Sequence, residues 1–154
     1  MCGPSEVVDQ ALKVHDAFAI CAPSISQRAA LIALKNTAGS SSPGKLFVAE
    51  LSSALARRRE LLCRRLDSLG ELFSYQSPKG AYYVFAKYFE KLSSFDFAVK
   101  LLNEAKVITI PGSGFGPSGE GHIRFSFGST ERDIGEAFDR IEKWHSSRSS
   151  SSHL

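Results

Sequence analysis

A glycine-rich loop between two strand-like segments sets the strongest constraint on the fold of this chain. The segment PGSGFGPSGEGHIRFSFG, residues 111–128, contains a GxGxxG pattern at Gly114, Gly116 and Gly119. A dinucleotide-binding turn of this kind joins a strand to a helix, because the pyrophosphate binds at the helix N-terminus. Here the loop leads into another strand, since residues 122–127 alternate between polar and apolar. The pattern therefore argues against a dinucleotide site and predicts a connector within a sheet.

The strand after the loop places one arginine opposite its apolar side chains. Ile123, Phe125 and Phe127 occupy one face of the alternation, and Arg124 lies on the other. A guanidinium binds a carboxylate through two parallel hydrogen bonds, so Arg124 is a candidate for binding an acidic substrate. The residues alone leave a second interpretation open, in which Arg124 is an ordinary exposed arginine on the polar side of a sheet.

The rest of the chain predicts helices packed on a short sheet. Apolar residues at helical spacing predict helices at 5–18, 26–35, 45–69 and 94–105, and a last one from Thr130 to Trp144. Runs of β-branched and aromatic residues predict strands at 72–75, 81–87, 107–110 and 122–127. The predicted fold class is therefore α+β (α/β), with a short mixed or antiparallel sheet.

Composition divides the chain into three parts. The stretch NTAGSSSPG, residues 36–44, is polar and rich in glycine and serine, which is typical of a boundary. We therefore expect a helical part at 1–42 and a sheet-containing domain at 43–145. The segment SSRSSSSHL, residues 146–154, is low-complexity, and we predict that it is disordered.

Charge and composition argue against several partners. The net charge of +3 on 154 residues gives no basic stripe for nucleic acid, and the arginines at 57–59 and 64–65 are expected to form a solvated helix face. No apolar run has the length of a membrane span, so we expect neither a nucleic-acid nor a membrane partner. Cys2, Cys21 and Cys63 are isolated, which argues against a zinc site, a disulfide framework or a Cys–His hydrolase.

The chain is expected to be soluble and cytoplasmic. Its last three residues, Ser152, His153 and Leu154, resemble the serine, basic, leucine tripeptide read by peroxisomal import receptors. Peroxisome-like import is therefore the alternative location.

Several segments, in order and spacing, resemble the C-terminal part of the class I/II aminotransferases, the fold-type-I enzymes that depend on pyridoxal 5'-phosphate. They are PKGAYYVF at 78–85, VITIPGSGFGPSGEGHIRFSFG at 107–128 and STERDIGEAFDRI at 129–141. Residues 2–34 also resemble the family's segment just downstream of the cofactor site. The resemblance covers residues 2–144. It implies a homodimeric enzyme that transfers an amino group between an amino acid and a 2-oxo acid.

The resemblance also implies roles for individual residues. Arg124 matches the arginine that binds the substrate α-carboxylate, and the neighbouring residues Gly112, Ser113, Gly114 and Phe115 are expected to line the substrate pocket. Residues 1–42 correspond to the end of the large, cofactor-binding domain, and 43–145 to the small domain. The helix at 45–69 would connect the two.

The family's cofactor residues find no match in this sequence. Family enzymes hold pyridoxal phosphate through a lysine in an SxSK-like stretch, an aspartate, an asparagine and a tyrosine, and no lysine here has that context. We therefore expect no catalytic residue in this chain, and cofactor binding only in an intact parent. The alternative from another class is a stand-alone, non-catalytic α+β module that binds a small acid or a protein partner.

Overall fold

A computed structural model of the chain describes residues 3–19, 21–37 and 43–151. The chain divides into two compact units, the first ending at Glu50 and the second beginning at Leu51. The division lies inside a long helix, α3, which spans Pro43–Asp67. The boundary predicted at 42/43 lies at the beginning of this helix instead.

The first unit is helical. It contains α1 (Ser5–Phe18), α2 (Ser24–Thr37) and the first turns of α3, and α2 is longer at both ends than predicted. No residue of α1 or α2 is buried, and Phe18 is 88% exposed. These helices therefore form without covering their own apolar side chains.

The second unit contains a four-stranded antiparallel sheet. Its strands are β1 (Phe73–Tyr75), β2 (Tyr83–Tyr88), β3 (Ile110–Pro111) and β4 (His122–Ser126), in the order β1-β2-β4-β3. Helix α4 (Ser94–Lys100) precedes β3 and continues into a π-helical turn, Leu101–Ala105. Two 3₁₀ turns, Gly112–Phe115 and Pro117–Gly119, join β3 to β4, and α5 (Glu131–Ser151) follows.

The helices of this unit supply the other side of one core beneath the sheet. Side chains that alternate along β2 and β4 point into it, as the period-2 pattern requires. The predicted α+β class is confirmed, and the sheet is antiparallel throughout. The buried core includes Leu62, Leu66, Phe97, Leu101, Phe138, Ile141 and Trp144 from the helices, and Phe73, Val84, Ala86, Ile123 and Phe125 from the sheet.

Two predicted segments differ from the structure. A strand is expected at 107–110, but only Ile110 of that segment is paired. It lies opposite Arg124 of β4, and the strand ends at the next residue, Pro111. The serine-rich segment is helical as far as Ser151, so the prediction of disorder is wrong for residues 146–151. Arg148 there pairs with Glu90 at 2.7 Å and lies over the Trp144 ring, which ties this turn to the domain. Residues 152–154, including the Ser-His-Leu tripeptide, lie outside the described residues.

The arginines of α3 have partners across the second unit. Arg58 donates to the Gly128 carbonyl at 3.1 Å and Arg59 to the Pro78 carbonyl at 3.3 Å. Arg65 pairs with Glu142 at 3.3 Å and with Asp139. The expectation of a solvated face is wrong for Arg58, Arg59 and Arg65, which are half-buried, and holds for Arg57 and Arg64, which are exposed.

The described part of the chain offers neither a membrane-spanning helix nor a metal site. It contains no helix long and apolar enough to cross a membrane. No group of three histidine, cysteine or acidic side chains within it could hold a metal ion. Cys21 is exposed, Cys63 is half-buried, and both are free thiols.

Candidate functional site

Arg124 lies in an inner strand of the sheet, on the face away from the core. It is paired in register with Phe85 of β2 and Ile110 of β3. Its neighbours Ile123 and Phe125 are buried at 0% and 5% exposure, whereas Arg124 is half-buried. The alternation of β4 thus directs Arg124 to the outer face of the sheet.

Two aromatic rings enclose the Arg124 guanidinium. Its central carbon lies 4.1 Å from the centre of the Tyr83 ring and 5.0 Å from that of Phe115. Its Nε atom is buried without a hydrogen-bond partner, and Arg124 forms no ion pair with any residue that the structure describes. Burying part of a charge without a counterion is costly, and an anion bound at this position would offset that cost.

Stacked rings fix the surroundings of this cation. Phe85 stacks on His122 with centres 5.0 Å apart and planes 1° apart, and it meets Phe115 edge-on at 5.7 Å. Interaction with the Tyr82 side chain raises the pKa of Tyr83, while the charge of Arg124 acts in the opposite direction. Tyr83 thus presents a neutral ring to the guanidinium.

The glycine loop is held by close packing of its own backbone. A Cβ atom on Gly112 would lie 1.9 Å from the Gly119 carbonyl oxygen, and one on Gly119 would lie 2.0 Å from that of Gly112. Glycine is therefore required at both positions. The loop connects strand to strand, as predicted, and its glycines allow two segments of backbone to touch.

A hydrogen-bond network attaches this loop to α4. The Glu120 carboxylate accepts from the Ser94 amide at 2.6 Å and from the Ser94 hydroxyl at 3.0 Å. The same hydroxyl accepts from the Ser113 amide at 3.1 Å, and Ser94 is fully buried. The bonds from Ser94 hold the pKa of the Glu120 carboxyl below its ordinary value. The network joins α4 to the turn that carries Phe115.

The predicted pocket residues have different surroundings. Gly112 is buried against Gly119, and the backbone of Ser113 is bonded to Ser94. Gly114 has open space where a side chain would be, and Phe115 packs on Arg124. Their role in lining a substrate pocket stays a prediction.

One lysine-lined cleft can be compared with the needs of the cofactor. Two of them, Lys79 and Lys87, line one cleft on the outer face of the sheet, but no aspartate or glutamate lines it with them. Pyridoxal phosphate needs an aspartate or arginine at its ring nitrogen besides the Schiff-base lysine, and neither lines this cleft. The residues of this cleft therefore do not fit the cofactor.

The family is decided by comparison with known proteins. Residues 1–141 match the family described as aminotransferase class I and II. This chain belongs to that family. The aminotransferase chain is 34% identical over 144 residues to the aromatic-amino-acid aminotransferase 2 of Thermococcus litoralis, covering 93% of this chain and 35% of that protein. It thus spans about a third of the length of the curated relatives it matches.

Solved aminotransferases have a similar backbone. The aromatic aminotransferase of Pyrococcus horikoshii superimposes with a TM-score of 0.79 at 32% identity, over 96% of this chain and 38% of that one. An aspartate aminotransferase of Thermus thermophilus, solved with maleate, has a TM-score of 0.75 at 30% identity, over 93% of this chain and 35% of that one. The aminotransferase-like fold is confirmed.

Proposed function

We propose that this chain is the C-terminal part of a pyridoxal-phosphate-dependent aminotransferase and that Arg124 binds the substrate carboxylate. The reaction is transfer of an amino group between an amino acid and a 2-oxo acid. The observation that carries the proposal is the half-buried Arg124 guanidinium between Tyr83 and Phe115, with its Nε atom unsatisfied. Such a cation gains most from an anionic partner with two oxygens.

Arg124 serves the reaction by orientation. A carboxylate held by two parallel N–H···O bonds from a guanidinium cannot rotate freely. This fixes the direction of the bond from the carboxylate to the α-carbon. The rings of Tyr83 and Phe115 exclude water from one side of this pair and so strengthen it. In the intact enzyme, pyridoxal phosphate would act as the electron sink, held by residues that this chain does not supply.

The relatives support this assignment at the level of chemistry. Maleate, present in the Thermus thermophilus structure, is a dicarboxylate. The relatives' names give different substrates, including aspartate and aromatic amino acids. A carboxylate next to the amino group is common to those substrates. We therefore assign Arg124 to that shared group and leave the side-chain preference open.

The test is an enzyme in which this chain replaces the matching third of the Thermococcus litoralis relative. We expect Arg124→Ala to lower kcat/KM for the amino acid by about 30- to 1,000-fold, about 2–4 kcal/mol, mainly through KM. Arg132→Ala, which removes an exposed arginine paired with Glu136 on α5, is the control. An unchanged kcat/KM in Arg124→Ala would contradict the role.

A second candidate is a stand-alone module that binds a small acid. One observation favours it: Arg124, its two rings and the core beneath them all belong to the second unit. Calorimetric titration of the chain with dicarboxylic and aromatic 2-oxo acids separates the two. A module binds one of them unaided, whereas part of a larger active site binds them weakly.

Assembly and location complete the proposal. We propose a homodimer for the intact enzyme and a cytoplasmic location, with peroxisomal import through the terminal tripeptide as the alternative. Localising a tagged chain with and without residues 152–154 decides between the two compartments.

A further inference from the structure

Two lysines and a histidine lie together on the same outer face of the sheet as Arg124. An open cleft of about 730 Å³ is lined by Lys79, Lys87 and His122, and no acidic side chain lines it. Neither lysine forms an ion pair with any part of the chain that the structure describes. The cleft is therefore a concave, positively charged surface without a counterion from those residues.

Strand pairing brings these groups together. Lys87 is in register with Ser74 of β1 on one side and with His122 of β4 on the other. Side chains directly opposite on neighbouring strands have Cβ atoms about 5 Å apart. The row therefore places a hydroxyl, an ammonium and an imidazole side by side across three strands. Lys79 reaches the same cleft from the loop between β1 and β2.

The walls of the cleft are anchored. Arg59 of α3 donates to the Pro78 carbonyl at 3.3 Å, which holds the loop that carries Lys79. Tyr75 lines the cleft, and its hydroxyl donates to the Asp67 carboxylate at 2.8 Å. Asp67 itself does not line the cleft. The His122 ring stacks on Phe85, and its Nδ1 lies 3.1 Å from the Glu120 carbonyl oxygen. Since that carbonyl can only accept, Nδ1 carries the proton of this bond.

We propose that this cleft binds an oxyanion, either a phosphate or a carboxylate, through Lys79, Lys87 and His122. His122 and Arg124 are two residues apart on one face of β4, about 7 Å along the strand. A short substrate with two acidic groups can therefore place one group at Arg124 and the other in the cleft. This part of the inference rests on the proposed function, and it names dicarboxylic or phosphorylated amino acids and 2-oxo acids as the substrate class.

The first experiment tests the cleft alone, by titrating the 154-residue chain with inorganic phosphate and recording amide resonances; Phe18, Ile25 and Leu34 of the first unit are replaced by serine throughout to suppress self-association. We expect saturable shifts at Ser74, Lys87 and His122, with affinity lowered about tenfold or more in Lys87→Gln, since one charge-assisted bond is lost. Lys91→Gln removes an exposed lysine outside the cleft and is expected to leave the affinity unchanged. Shifts that do not saturate, or equal losses in both variants, would overturn the proposal. The resonance pattern without phosphate verifies that each variant is folded.

The second experiment separates the two sources of the anion. 2-Oxoglutarate carries a distal carboxylate that pyruvate lacks, and each acid is titrated into the enzyme assembled with the Thermococcus litoralis relative, as the wild type, Lys87→Gln and Arg124→Ala. If the cleft holds a substrate's second group, 2-oxoglutarate binds more tightly than pyruvate, phosphate competes with it, and both substitutions weaken it. If the cleft holds a free anion, Lys87→Gln weakens phosphate binding without affecting either acid.

The same titrations distinguish failure of this inference from failure of the proposed function. If Arg124→Ala leaves the affinity for both acids unchanged while Lys87→Gln weakens phosphate binding, the proposed role of Arg124 is wrong and the oxyanion cleft is supported. If instead Arg124→Ala weakens pyruvate binding while Lys87→Gln changes no affinity, the oxyanion cleft is wrong and the role of Arg124 is supported.

Discussion

The half-buried cation at Arg124 depends on the rings beside it. Tyr83 and Phe115 lower the exposure of the guanidinium to water while offering it the negative faces of their π-systems. A planar guanidinium stacks in this way better than an ammonium, because its charge is delocalised over the plane. The rings therefore keep the guanidinium in place without using its N–H groups as hydrogen-bond donors.

We predict that Phe115→Leu weakens carboxylate binding about two- to fivefold, the equivalent of about 0.5–1 kcal/mol of cation–π interaction. Phe115 is 50% exposed, so the substitution leaves the core intact. Phe89→Leu, at a ring of 52% exposure that makes no contact of this kind with Arg124, is the matched control. Equal affinities of the wild type and Phe115→Leu for pyruvate would show that the ring does not support the site.

Two glycines of the loop, Gly112 and Gly114, should differ in how well they tolerate a side chain. Gly112→Ala is expected to lower the free energy of unfolding by at least about 2 kcal/mol, because its Cβ would collide with the backbone of Gly119. Gly114→Ala is expected to change it by less than about 0.5 kcal/mol, since nothing lies within 4 Å of the added atom. Urea denaturation measures both. Similar stabilities of the two variants would contradict the packing of Gly112 on Gly119.

At the scale of elements, α4 holds the loop through Glu120. The buried Ser94 hydroxyl donates to this carboxylate and accepts from the Ser113 amide, so it relays the position of the helix to the turn before β4. The Gly121 amide also donates to this carboxylate, at 3.2 Å. Burial raises the pKa of Tyr88 to about 12, so its hydroxyl stays neutral at physiological pH; it donates to the Leu92 carbonyl at 2.7 Å and lies 3.4 Å from Glu120. The carboxylate therefore has donors on several sides.

The lowered pKa of Glu120 predicts how this network responds to acid. A carboxyl whose pKa is depressed in the folded state stabilises it fully above the ordinary value of 4.5, and this contribution is lost as the pH falls through the lower, folded pKa. The difference in Tm between the wild type and Glu120→Ala should thus be constant above about pH 5 and shrink below pH 4.5. Glu71→Ala, at an exposed acid outside the network, serves as the control. A difference that stays constant down to pH 2 would contradict the network.

The elements also show what the sequence could predict. The orientation of Arg124 follows from alternation within one strand, which is local, and the strand-to-strand loop follows from composition. The ring of Tyr83 lies beside Arg124 because β2 pairs with β4, and the bond from Ser94 to Glu120 joins residues 26 positions apart. Register and such distant contacts leave no periodic pattern in the sequence. The sequence does not predict the helical turn around Arg148 for the same reason, because its partner Glu90 lies 58 positions away in the loop after β2.

At the scale of the whole molecule, the two units differ in how they cover their apolar side chains. The second unit has a core of its own, whereas the helices of the first unit leave large apolar residues exposed, with Phe18 at 88%, Ile25 at 80% and Leu34 at 70%. Exposed apolar area on this scale is typical of a surface that another protein segment covers. It agrees with a chain that spans about a third of the length of its relatives.

We predict that the chain self-associates through the first unit. Light scattering should report particles larger than a monomer, and replacing Phe18, Ile25 and Leu34 together by serine should reduce their size, because the apolar area that drives association is removed. The control replaces Phe95 and Ile108 of the second unit, exposed at 62% and 78%, by serine. This control should reduce the particle size less. A monodisperse monomer of the unsubstituted chain would count against its being part of a larger protein.

The central claim is that Arg124 recognises a carboxylate. The most direct test uses the enzyme assembled with the Thermococcus litoralis relative and compares the inhibition constants of a carboxylic acid and of its primary amide, which has the same shape without the charge. The wild type should prefer the acid by about tenfold or more, and Arg124→Ala should lose that preference while binding the amide as before. An Arg124→Ala enzyme that still prefers the acid by the same factor would show that the carboxylate is bound elsewhere.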